Sequence, residues 1–116
     1  MRELVLTPKF KRTFRKFVLR NPQRQKAIEK TLAQMREDIY FLNLGTHSLK
    51  GELSGLKACS CGFDCRIIFS IEIEPDTQEE VIILLDIGTH RKFGSETPSF
   101  YDGFTVKYEH RLPNIC

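Results

Sequence analysis

The chain has 116 residues, 41% hydrophobic and 28% charged, with a formal net charge of +3. That length suits one domain with a single core, and no apolar run approaches the roughly 20 residues of a membrane span. Charge is interleaved through Lys9–Arg20, unlike a secretion signal, so a cytoplasmic protein with no membrane association is expected. Three of the four cysteines, Cys59, Cys61 and Cys65, are crowded together, with Cys116 far away, which reads as a poor disulfide framework. Residues 1–30 carry ten Lys and Arg against only Glu3 and Glu29. A face so basic suits RNA, DNA or an acidic protein, and is equally what a well-solvated helix surface looks like.

Glu3–Leu6 is a short apolar segment and a candidate first strand. Thr7-Pro8 then reads as an N-cap followed by proline at the first helical position. Phe10, Phe14, Phe17 and Val18 form one apolar stripe, with lysines and arginines opposite. Asn21-Pro22 repeats the cap signal, and Ile28, Leu32, Met35 and Ile39 make a second stripe. Two amphipathic helices joined this tightly form a helical hairpin. Asn43-Leu44-Gly45-Thr46 breaks the helix, and His47–Lys57 carries two glycines with Leu49, Leu53 and Leu56.

From there the period becomes two. Cys65, Ile67, Phe69, Ile71 and Ile73 alternate with Asp64, Arg66, Ile68, Ser70 and Glu72, which predicts a strand with Asp64 and Arg66 on its non-core face. Gly62-Phe63 before it suits a two-residue type II′ turn. That register pairs Cys61 with Asp64, Cys59 with Arg66 and Lys57 with Ile68, placing Lys57 beside Asp64 and Arg66 and leaving Cys59 and Cys61 on the open face. A three-residue loop would instead send Lys57 toward the core, which is costly for an unpaired ammonium. After the turn Pro75-Asp76-Thr77-Gln78, Glu80–Arg91 holds the longest apolar run, Val81–Leu85, a strand buried on both faces that stops at Gly88. The order predicts an α+β fold: an N-terminal strand, a two-helix hairpin, then a three-stranded antiparallel meander, in one small sheet with helices on one face. Residues 94–116 show no sustained period and are expected to be a partly mobile tail.

The chemistry-bearing groups on or beside the open face are His47, Lys50, Lys57, Asp64, Arg66, His90 and Arg91. Two imidazoles, a carboxylate and a guanidinium suit cleavage of RNA by its own 2′-hydroxyl. That reaction needs a base, an acid for the leaving 5′-oxygen and fixed positive charge on the phosphorane, and it requires no metal or other cofactor. Histidine fits both proton roles because its ordinary pKa lies near neutrality. Asp64 and Arg66 are also what an ordinary surface ion pair would look like. Cys59, Cys61 and Cys65 with a histidine give a zinc reading, though the spacing is not the paired C-x-x-C of common zinc sites.

Three stretches together resemble the RelE/ParE superfamily of toxins from type II toxin–antitoxin systems, in particular its RelE/StbE and YafQ-like branch. They are His47-Ser48-Leu49-Lys50-Gly51 with Leu53-Ser54-Gly55-Leu56, then Asp64-Cys65-Arg66-Ile67-Ile68-Phe69, then Leu84-Leu85-Asp86-Ile87-Gly88-Thr89-His90. The match covers about residues 1–93, taken as the domain. The resemblance implies a ribosome-dependent mRNA endonuclease neutralised by a cognate antitoxin protein. It implies His47, Asp64 and His90 as catalytic and Arg66 as catalytic on the phosphate; beside these, Lys50, Lys57 and Arg91 are candidate substrate contacts, and Phe93, near the family's C-terminal aromatic position but not in its register, is a candidate for stacking a base. That branch has a strand histidine where Ser60 stands here, and its usual ending is replaced by Arg91-Lys92-Phe93-Gly94. The alternative on the same fold is a non-catalytic ParE-like toxin that binds DNA gyrase.

Overall fold

A computed structural model describes residues 2–89. Among these residues two α-helices and five strands follow in order: β1 (Glu3–Leu6), α1 (Pro8–Phe17), α2 (Pro22–Glu37), β2 (His47–Ser48), β3 (Lys57–Ser60), β4 (Arg66–Ile73) and β5 (Glu80–Gly88), with single 3-10 turns at Leu42–Leu44 and Gly51–Leu53. The strands form one sheet in the order β1-β5-β4-β3-β2. The β3-β4-β5 meander is antiparallel, and β1 joins it parallel to β5, with Glu3 opposite Val81 and Leu6 opposite Leu84. The fold class is the one the sequence implies, with β2 added at the far edge. A two-residue strand is too short to leave a periodic signal.

Both helices start where local chemistry says they should. Thr7 Oγ1 accepts the Phe10 backbone N–H at 3.0 Å, and Asn21 Oδ1 accepts that of Arg24 at 3.1 Å. Each cap satisfies an amide that would otherwise lack a partner. Phe10 is fully buried and stacks on Phe14, Ile28 and Met35 complete the helical contribution to the main core, and Ile39 joins it from the turn just past α2. The sheet supplies Cys59, Cys61, Cys65, Ile67, Phe69, Ile82, Leu84 and Ile87. Burying each large apolar side chain stabilises the fold by about 1.5–3 kcal/mol.

The face away from the helices is not bare. Ala58, Ile68, Val81, Ile83 and Leu85 form a second buried cluster, covered by Leu49, Leu53 and Leu56. The three leucines between β2 and β3 are therefore a lid on the second face, and part of the expected open face is closed. Ile68, counted with the polar residues of its strand, is fully buried there. In β5, Ile68 pairs with Asp86 and Phe69 with Leu84, so Leu85 is an extra residue in a β-bulge. The bulge resets the alternation, returning Ile87 to the helix side with Ile82 and Leu84.

The β3–β4 hairpin differs from expectation by one residue. Its register is Lys57–Phe69, Ala58–Ile68, Cys59–Ile67 and Ser60–Arg66, closed by Cys61 N–H donating to Cys65 O at 3.0 Å. The loop is thus three residues, Gly62-Phe63-Asp64, not two. Cys61 and Cys65 are joined by a disulfide across it, with Cα atoms 5.0 Å apart. The poor disulfide framework therefore holds a bridge after all, between near neighbours whose spacing just spans a turn. Asp64 takes a left-handed φ of 52°, which aspartate tolerates better than most residues. Lys57 does lie on the helix-side face opposite Phe69, but at the sheet margin, where its ammonium donates to Ser48 Oγ at 3.1 Å. That contact removes the penalty that argued for the shorter loop.

Candidate functional site

Directly opposed residues in antiparallel strands share a face. His47 opposes Ala58, Ala58 opposes Ile68, and two residues further along Ser60 opposes Arg66. His47, Ser60 and Arg66 therefore lie on the face away from the helices. Strand spacing of ~4.8 Å and a rise of ~3.3 Å per residue put the His47 and Arg66 Cα atoms roughly 12 Å apart, within the combined reach of an imidazole and a guanidinium. Arg66 also opposes Gly88, the last residue of β5. Because Gly88 has no side chain, nothing on β5 crowds Arg66 at that position. The chain leaves the sheet at this end, and Thr89 is the last residue described.

His47 is exposed on β2, with Nδ1 3.0 Å from the carbonyl oxygen of Gly45. A carbonyl only accepts, so in the neutral ring Nδ1 carries the hydrogen and Nε2 the lone pair. Asp64 is exposed, in the turn and not in the strand, two residues before half-buried Arg66. Lys50 is exposed in the leucine-bearing segment. Lys57 is on the other face from Arg66, so the sheet does not gather it with that residue. His90, Arg91 and Phe93 lie outside the described residues.

Among the described residues, Cys59, Cys61 and Cys65 do not assemble a metal centre. Cys59 faces the main core and is almost fully buried, so desolvation pushes its thiol from 9.0 up to about 12. Its Sγ lies 3.8 Å from Met35 Sδ. Cys61 and Cys65 are bonded to each other. Among the described residues, no three His, Cys, Asp or Glu side chains are placed to hold a metal ion.

Two features near this end of the sheet were not read from the sequence. A cleft of about 260 Å³ lies between the second half of α1 and the end of β5, lined by Thr13, Lys16, Phe17, Ile87, Gly88 and Thr89. Beside it, Arg24 sits over the Phe17 ring, 4.1 Å from its centre, and donates to the Phe17 carbonyl oxygen. The second feature is Asp86, fully buried in the bulged stretch of β5. Its Oδ1 accepts the Ile87 N–H at 2.8 Å, and its Oδ2 lies 3.9 Å from Lys9 Nζ in α1. A lone acid within an apolar run was the available signal for Asp86. The cleft depends on packing and had no signal.

No protein-family model and no curated protein matches the chain. Solved structures do. The DinJ–YafQ toxin–antitoxin complex of E. coli includes a chain that aligns with a TM-score of 0.62 at 11% identity, covering 81% of this chain and 98% of that one. The YoeB/ParE toxin of Agrobacterium tumefaciens aligns at 0.62 and 12%, covering 76% and 98%. A copper-bound mutant toxin of Helicobacter pylori aligns at 0.59 and 21%, covering 80% and 99%. The fold is that of the RelE/ParE toxins. Nearly the whole of each of these proteins is matched by this chain.

Proposed function

We propose that this chain is the toxin of a type II toxin–antitoxin system and an endoribonuclease that cuts mRNA on the ribosome. The observation that carries this reading is the pairing of Arg66 with Gly88. It sets a cation on the sheet face at the point where the chain runs on through Thr89 into His90, with His47 on the same face. In the proposed reaction Asp64 or His47 takes the proton of the 2′-hydroxyl, and for His47 the atom is Nε2. The 2′-oxygen then attacks phosphorus, the phosphorus–O5′ bond breaks, and His90 protonates the leaving 5′-oxygen. A 2′,3′-cyclic phosphate and a 5′-hydroxyl remain. The Arg66 guanidinium binds the phosphorane charge with two parallel donors, and Lys50 and Arg91 add longer-range positive potential. Phe93 stacks a base of the message.

The exposed lysines and arginines of α1 and α2, Lys11, Arg12, Arg15 and Lys16 among them, support contact with ribosomal RNA. A cognate antitoxin is the proposed protein partner, supported by the likeness to a toxin solved with its antitoxin. The deciding experiment is inducible expression of the full chain and of His90→Ala, with 5′ ends of cellular mRNA mapped. Cuts within translated codons from the first and none from the second, with both proteins folded, are expected. Growth arrest with intact mRNA and blocked replication would replace this reading with the gyrase-binding one.

A further inference from the structure

The most exposed aromatic side chain among the described residues is Phe63, 98% accessible at the tip of the β3–β4 hairpin. Its surroundings are built to hold it there. The turn is closed on both sides by Cys61 and Cys65, which are buried and bridged. The Cys61 N–H donates to the Cys65 carbonyl, and the Cys65 N–H donates to that of Gly62. Gly62 and Asp64 both take positive φ, 123° and 52°, so the backbone turns in the shortest way and leaves Phe63 at the apex. The base of the turn packs on α2, with the Ala27 methyl 3.9 Å from where a Gly62 Cβ would stand. A ring on so short and cross-linked a loop loses little conformational entropy when something stacks on it.

The immediate chain neighbours are Gly62 and Asp64, with Ser60 and Arg66 paired at the foot of the hairpin. No second exposed large apolar residue lies within the hairpin turn, unlike the exposed run Tyr40-Phe41-Leu42 elsewhere. A lone aromatic ring flanked by Gly62 and Asp64, on a hairpin whose foot carries Arg66, has little to offer an apolar protein patch. It has what a single-stranded base and its phosphate need: a π-face for stacking and a cation on the same hairpin, three residues along the chain. We infer that Phe63 is a nucleobase-stacking platform, held by the Cys61–Cys65 bridge, that positions single-stranded RNA next to Arg66.

This rests on the ribonuclease reading above, and the test separates the two. Cleavage of mRNA in a translating extract is measured at subsaturating message for the oxidised full chain and for Phe63→Trp, Phe63→Leu and Phe63→Ala. Alanine and leucine should lower the cleavage rate roughly 5- to 150-fold through KM, while tryptophan preserves it. Melting temperatures should hardly move, because the ring touches solvent. Since the chain contains no tryptophan, Phe63→Trp is also a unique fluorescent reporter. Titration with a 2′-O-methyl oligoribonucleotide, which lacks the nucleophile, should quench it saturably. Wild-type cleavage matched by Phe63→Leu, or binding of the oligonucleotide without quenching, would overturn the stacking platform alone. Absence of cleavage by the wild type would overturn the function and this inference with it.

Discussion

Reduction of the Cys61–Cys65 bridge tests the hairpin geometry without altering a side chain. The two cysteines are separated by only four positions, so the bridge closes a small ring. In the chain-entropy picture such a ring removes about 2 kcal/mol of disorder from the unfolded state. For a domain near 100 residues that corresponds to a fall in Tm of roughly 8–16 °C on reduction. The measurement is calorimetry of the full chain with and without a phosphine reductant at neutral pH. The double variant Cys61→Ala/Cys65→Ala serves as the control that reductant no longer affects. A reduced protein that melts with the oxidised one, under conditions where mass spectrometry shows the bridge broken, would refute the reasoning. So would an oxidised protein whose mass shows free thiols at both positions, since the three-residue turn would then have no covalent clamp.

Cys59 makes the fold sensitive to alkali. Its thiol is held neutral up to about 12 in the fold but ionises near 9.0 when exposed, so its contribution is complete below pH 9. Above that, stability should drop by about 1.4 kcal/mol per pH unit until pH 12, a slope that Cys59→Ala lacks when Tm is followed against pH. Replacing Thr7 with alanine removes the α1 cap and should cost about 1 kcal/mol in denaturant titrations, whereas Thr7→Ser should be nearly neutral. Phe10→Ala, at a fully buried position, should cost about 3–5 kcal/mol by the same measurement. Arg66→Gln should leave Tm within a few degrees yet abolish detectable mRNA cleavage, and unimpaired cleavage would remove the guanidinium from the proposed reaction.

What was legible in the sequence was what depends on near neighbours. Thr7-Pro8 and Asn21-Pro22 mark helix starts because a cap and the amide it receives are three residues apart. The stripes of α1 and α2 and the run Val81–Leu85 follow from period alone. The hairpin was misjudged because choosing between two and three loop residues turned on where Lys57 would end. The answer lay in Ser48, a residue on a strand that periodicity does not reveal. The same shift moved Cys59 and Cys61 into the core and Lys57 away from Arg66. Of the candidate site, the shared face of His47 and Arg66 emerges once the register is known, but the register is tertiary information. The second apolar cluster was hidden for a related reason: Leu49 and Leu56 lie in connecting segments and Leu53 ends a single 3-10 turn, Gly51–Leu53, too short to announce a buried face by its period.

The parallel pairing of β1 with β5 bears on when the protein becomes a protein. β1 is made first, and its strand partner begins at Glu80. Contacts so distant in sequence form late, because a long loop must close before they reward it. At a synthesis rate of about 5–20 residues per second, β1 waits roughly 4–16 s for Val81 to follow Glu3. Until β5 is made, the meander lacks the strand that carries Gly88, the residue opposite Arg66. The face that holds His47 and Arg66 is therefore complete only after β5 has been made, although both residues precede it in the chain.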